Sequence, residues 1–142
     1  MRTEFVQGIT IRPLRNGERS VVQAVFDALG PSSRRQRFGG AKNVLLEADL
    51  EHLARVDATH HVLVAYAGDD PVAIARLVRH GELAEIAFEV ADAWQRRGVG
   101  TLLAERLGAD ARAAGITRFC GDVDDANTAS LALLHRLRLA AA

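Results

Sequence analysis

The chain has 142 residues, 49% of them hydrophobic, which suits a single domain with its own core. Eighteen basic residues balance eighteen acidic ones, so neither bulk binding to nucleic acid nor attraction to a membrane surface is expected. The single cysteine, Cys120, excludes an internal disulfide. No apolar run reaches the roughly 18 residues of a membrane span, and Met1–Thr10 lacks the apolar segment of a secretory leader, so a cytoplasmic location is expected.

Ile9–Leu14 reads as a first strand, with Pro13 suited to its end. Asn16 is a candidate cap for a helix whose stripe is Val21, Val22, Val25, Phe26 and Leu29, stopped by Gly30-Pro31. In Pro31–Phe38, Ser32 or Ser33 can cap a short helix. Arg34, Arg35 and Arg37 there form either a solvated face or a contact for an acidic substrate or a phosphate. Gly39-Gly40 is a joint, and Val44–Val56 reads as a helix through Leu46, Leu50, Leu53 and Ala54. His60–Ala67 is a strand by alternation and β-branched content. Its adjacent His60 and His61 point to opposite faces, so they chelate poorly and no metal site is expected. Turns at Gly68–Pro71 and Arg79–Glu82 flank a second strand, Val72–Val78, and imply an antiparallel meander.

The stretch Glu85–Leu103 organises the rest. Ile86, Phe88 and Val90 fall on one strand face, and Glu85, Ala87 and Glu89 on the other. After the polar Ala91–Trp94 comes Gln95-Arg96-Arg97-Gly98-Val99-Gly100. The period then becomes helical, through Val99, Leu102, Leu103, Leu107, Ala111 and Ala114, with Gly115 a natural stop. A glycine-rich turn between a strand and a helix points free backbone N–H groups at one spot, with the positive end of the helix dipole behind them. It is a ready site for a phosphate or pyrophosphate, and side chains in place of the glycines would keep the phosphate away. Ile116–Val123 reads as a last strand, parallel to the central one across the helix. Asp124, Asp125 and Asn127 are cap candidates for a final helix carrying Leu131, Leu133, Leu134 and Leu137, and Ala140–Ala142 reads as a tail. No repeat or linker divides residues 1–142, so one domain is expected.

Gln95-x-x-Gly98-x-Gly100, preceded by the Ala84-Glu85-Ile86 strand and followed by helix, strand and an Asn127-led helix, resembles the acyl-CoA loop of GNAT N-acetyltransferases. Arg12-Pro13 is similar to the family's first-strand pair. Leu29–Phe38 is similar to a segment of the bacterial protein-lysine acetyltransferases. The resemblance spans about Ile9–Leu139 and implies an α/β fold with a mixed sheet, in the order β-α-α-β-β-β-α-β-α. It implies that the two parallel strands splay apart and admit the pantetheine arm of acetyl-CoA. Asn127, Ser130 and Leu133 match the family's last-helix motif, whereas Leu134, Arg138 and Leu139 replace its Tyr, Gly and Phe. The family's last two strands have no counterpart, which leads to the expectation of a homodimer or reduced stability.

The implied activity is acetyl transfer from acetyl-CoA to a primary amine, with protein lysine as a candidate acceptor. Glu85 resembles the family's general base, and burial would raise its pKa into the useful range. Glu89, on the same face, is the reserve. By the same resemblance, backbone groups near Phe88 and Val90 would hydrogen-bond pantetheine, and Gln95, Arg96, Arg97, Gly98, Val99, Gly100 and Thr101 would cradle the pyrophosphate. Asn127 and Ser130 would support the arm. Leu134 cannot donate a proton to the departing thiolate, and the neighbouring His135 faces elsewhere on the helix. Cys120 reads as a buried structural thiol. Two other readings fit the same residues: an acetyl-CoA-binding regulatory module without turnover, and an enzyme for a small amine.

Overall fold

The computed structural model describes residues 8–121 and 128–142. Its elements are β1 (Ile9–Pro13), α1 (Arg19–Asp27), α2 (Pro31–Phe38), α3 (Glu47–Leu53), β2 (His60–Ala67), β3 (Asp70–His80), β4 (Leu83–Val90), a 3-10 turn (Asp92–Trp94), α4 (Val99–Ala113), β5 (Arg118–Cys120) and α5 (Thr128–Ala141). Between β1 and β2 lie three helices, where the family order implied two. The strands form one five-stranded sheet in sequential order. β1 to β4 are antiparallel neighbours, which is the expected meander, and β4 pairs with β5 in parallel.

The sheet is covered on both faces. On one, Leu63, Ala65, Ala75, Leu77 and Ile86 pack against Val99, Leu103, Leu107 and Ala111 of α4 and Leu137 of α5. On the other, Val62, Val64, Tyr66 and Ile74 pack against Val21, Val22 and Val25 of α1 and Leu53 of α3. Burying a side chain such as Leu103 or Leu107, both 0% exposed, stabilises the fold by about 1.5–3 kcal/mol. No helix of the described residues is long and apolar enough to cross a membrane.

Several local expectations are corrected. Asn16 does not cap α1; its Oδ1 accepts the Val56 N–H at 2.9 Å, while Glu18 stands at the start of the helix. Gly30 precedes α2 and Pro31 opens it, which puts Ser32 and Ser33 inside the first turn rather than at the cap. α3 is shorter than Val44–Val56 because the Asp49 carboxylate accepts the Leu46 N–H at 2.8 Å and starts the helix there. Val44 and Leu46 are left exposed. β5 is described only from Arg118 to Cys120. Ala140 and Ala141 belong to α5, not to a tail, because a glycine at Gly108 lets that end of α5 close onto α4. The cap candidates Asp124, Asp125 and Asn127 lie outside the described residues.

Candidate active site

β4 and β5 part company early. Their pairing runs Leu83–Arg118, Ala84–Phe119 and Glu85–Cys120, and β4 then continues to Val90 without a β5 partner among the described residues. A cleft of about 1130 Å³ occupies this parting, with β4 as its floor. Glu85, Phe88, Val90, Gln95, Arg96, Gly98, Gly100, Thr101 and Ser130 all line it. The sequence-derived set is therefore brought together, with three exceptions. Val99 is fully buried in the α4 core. Arg97 lies over the Trp94 ring, 4.9 Å from its centroid, and is not among the lining residues. Asn127 lies outside the described residues.

At one end of the cleft the glycine turn opens α4. Gly98 takes a left-handed conformation (φ 86°) and, as a glycine, brings no side chain of its own to cap the helix. The Leu102 N–H donates to the Gly98 carbonyl at 3.1 Å, so the N–H groups of Val99, Gly100 and Thr101 precede the i-to-i−4 ladder of the helix. A Cβ on Gly100 would lie 3.1 Å from both Leu133 methyls and 3.6 Å from Val90 Cγ2, so glycine lets α5 and β4 close around this turn. Arg96 is also left-handed (φ 63°), a conformation costing a non-glycine residue about 1–2 kcal/mol. Such strain persists where surrounding structure imposes it, often at a binding site. Gln95 turns inward: its Nε2 donates to the Val90 carbonyl at 3.0 Å and to Ser33 Oγ at 3.1 Å. Its side chain holds the turn rather than facing a phosphate.

The two glutamates on one strand face have opposite surroundings. The Glu85 side chain is 62% exposed, with Oε1 3.4 Å from His80 Nε2. Burial, expected to tune it, is absent. The Glu89 side chain is 5% exposed and held between two arginines, Arg76 at 3.4 Å and Arg37 at 3.5 Å. Arg76 also donates to the Leu53 carbonyl. Burial pulls the Arg76 pKa down and the Glu89 carboxylate pulls it back up. Glu89 thus lines the cleft as a buried carboxylate paired with two arginines.

Of the three α2 arginines, Arg35 is exposed, as a solvated face requires, while the other two are engaged. Arg37 pairs with Glu89, and Arg34 lies over the Phe26 ring at 4.1 Å while donating to the Phe26 carbonyl at 3.1 Å. Cys120 is exposed and lines the cleft instead of filling core; it stands where the β4–β5 pairing ends. Leu134 is buried, and His135 is exposed. His60 and His61 pair with Asp57 and Asp110 respectively, each through a carboxylate oxygen, and no metal-binding group of three or more ligands occurs among the described residues. Sequence reasoning offered Arg37 as a contact and Ser33 only as a cap, and missed Arg76, His80 and Asp92 as neighbours of the site. They come from other elements, and no local pattern marks them.

Against known proteins, the model of the acetyltransferase (GNAT) family matches residues 23–138. The chain belongs to the GNAT acetyltransferase family. It is 39% identical over 94 residues to the acetyltransferase Pat of Mycolicibacterium smegmatis, a match covering 62% of this chain and 28% of that protein. The chain therefore spans well under half of that curated relative. The GNAT domain of S. lividans PAT superposes with a TM-score of 0.82 at 28% identity, covering 89% of this chain and 78% of that one. An aminoglycoside acetyltransferase from an uncultured soil sample superposes with a TM-score of 0.69 at 16% identity, covering 95% and 90%, and shares the fold alone. In sequence the chain is thus similar to Pat, and in structure to the GNAT domain of PAT.

Proposed function

We propose that this GNAT domain binds acetyl-CoA along the glycine turn and transfers the acetyl group to a primary amine, protein lysine being the favoured acceptor, with Glu85 as general base. One observation carries the reading. A single cleft joins the N-terminus of α4 to the exposed Glu85 carboxylate on β4. The residues fit the donor. The N–H groups of Val99 to Thr101 at the start of α4 and the Arg96 charge suit a pyrophosphate. The β4 backbone from Ile86 to Val90, unpaired on its β5 side among the described residues, suits an amide-rich arm. When bound, the thioester supplies the activated acetyl group.

Glu85 accepts the proton the amine must shed, directly or through water, since an ammonium has no lone pair to attack with. Main-chain donors on β4 polarise the acyl oxygen. The favoured acceptor follows from the charges in the cleft. Glu89 is neutralised by two arginines, and Asp92 accepts from Ser33 at 2.7 Å and from Gln95 at 3.4 Å. Glu85 is the carboxylate on β4 exposed to meet a cation, and a lysine ammonium suits it. The similarity to Pat and PAT supports the same choice.

The test combines calorimetric titration with acetyl-CoA and thiol-release assays on acceptor panels. Glu85→Gln should bind acetyl-CoA like the wild type while losing about 10²-fold or more in kcat. Acetyl-CoA binding without amine-stimulated thiol release would instead identify a sensor module.

A further inference from the structure

The cleft has two walls, and their junction is polar. α2 buries no residue, so packing alone does not place it. Its N-terminal end is tied to the loop that leads into the glycine turn. Ser33 Oγ donates to Asp92 Oδ1 at 2.7 Å, and Gln95 Nε2 donates to Ser33 Oγ at 3.1 Å and to the Val90 carbonyl at 3.0 Å. The Asp92 N–H donates to the Ala28 carbonyl at 3.1 Å, just before α2. A Cβ on Gly30 would collide with Asp92 Oδ2, so glycine at the start of α2 is what lets the carboxylate sit there. Ser32, Ser33, Gln36 and Arg37 of α2 line the same cleft opposite the glycine turn. The rest of α2 leans on α1 and β4 through Phe38 against Phe26, Arg34 over Phe26 and Arg37 to Glu89.

We infer that Ser33 is a positioning residue that couples the two walls: through Asp92 and Gln95 it sets the α2 wall from the donor loop, so that filling the donor site orders α2, which lines the cleft across from the glycine turn. The inference rests on the proposed acetyl-CoA site. Its logic is geometric. Gln95 is the first residue of the glycine turn, and its side chain ends on an α2 hydroxyl rather than in the phosphate cradle. A ligand that fixes the turn therefore fixes the donor to Ser33.

The experiment is hydrogen exchange on the full chain with and without acetyl-CoA, for the wild type, Ser33→Ala and Ser33→Thr, beside calorimetry on the same samples. In the wild type and Ser33→Thr, acetyl-CoA should slow exchange of the Arg34–Phe38 amides about five- to tenfold, the effect of one or two hydrogen bonds held more firmly. In Ser33→Ala the slowing should be confined to the glycine turn and α4. The acceptor KM should rise in Ser33→Ala and be restored in Ser33→Thr. Equal α2 slowing in Ser33→Ala, or none in an acetyl-CoA-bound wild type, overturns the coupling and leaves the donor site intact. A folded wild type that does not bind acetyl-CoA overturns the proposed function itself. The wild-type measurement stands whether or not Ser33→Ala folds.

Discussion

Glu89→Gln tests the division of labour between the two glutamates. The variant keeps shape and volume but removes the charge that balances Arg76 and Arg37. Arg76 and Glu89 are 6% and 5% exposed in their side chains, so Arg76 would keep a desolvated charge without its counter-ion. Removing one partner of a buried pair costs about 3–5 kcal/mol. The lower end applies, because Arg76 retains the Leu53 carbonyl and Arg37, at 20% exposure, can turn to water. A loss of about 3 kcal/mol in a chain of this length lowers Tm by roughly 10 °C. Urea titration and calorimetry would read it. Adding Arg76→Met to Glu89→Gln should recover much of the loss, since the stranded charge goes with it. Glu85→Gln, in contrast, alters an exposed pair worth about 0–1 kcal/mol and should leave Tm nearly unchanged while slowing turnover. A Glu89→Gln loss below about 1 kcal/mol would mean that the charges stay hydrated, and the assignment of Glu89 as a buried counter-ion would fail.

Gly108→Ala should destabilise the fold by about 1 kcal/mol in urea titration, the net of overpacking and the helix propensity gained. Its Cβ would lie 2.5 Å from the Leu137 carbonyl and 2.8 Å from Ala140 Cβ, so α5 must shift. Because α5 carries Ser130 and Leu133 of the cleft, acetyl-CoA should also bind more weakly; unchanged stability would refute the close contact. Arg96→Gly should raise stability by about 1 kcal/mol by relieving the left-handed strain, yet weaken acetyl-CoA binding in low salt, and a lower Tm would contradict the strain. Asp57 is held well below its ordinary 3.8, first by the His60 side chain and then by the Thr59 N–H. A depressed carboxylate stabilises the fold above the unfolded pKa and loses that effect as pH falls through the folded one. Asp57→Ala should therefore lower Tm at pH 6, with the gap to wild type closing below pH 3.8; a constant gap would count against the pairing.

Local pattern was enough for much of this protein. Alternation and β-branched content located β2, flanking turns located β3, period-two patterning located β4, and Gln95–Gly100 marked the switch to helical period at α4. Chain-local signals misjudged what depends on neighbours. Val44–Val56 has the apolar spacing of a helix, but the Asp49 carboxylate decides where α3 begins. Cys120 looks like core in an apolar strand, yet it stands where β5 stops pairing and the cleft opens.

The sharpest case is the strand of the site itself. The sequence by itself determined that Glu85 and Glu89 share one face of β4, because side-chain direction in a strand is a property of the backbone. It could not tell them apart. α2 brings Arg37 and α3 brings the Leu53 carbonyl over the Glu89 end, with Arg76 of β3 beneath, so that carboxylate is buried and neutralised. Among the described residues the Glu85 side chain stays open to the cleft beside His80. Burial and partners belong to the space around a residue. That space is filled by segments far away in sequence, so the packing of distant elements makes one glutamate a buried counter-ion and leaves the other exposed.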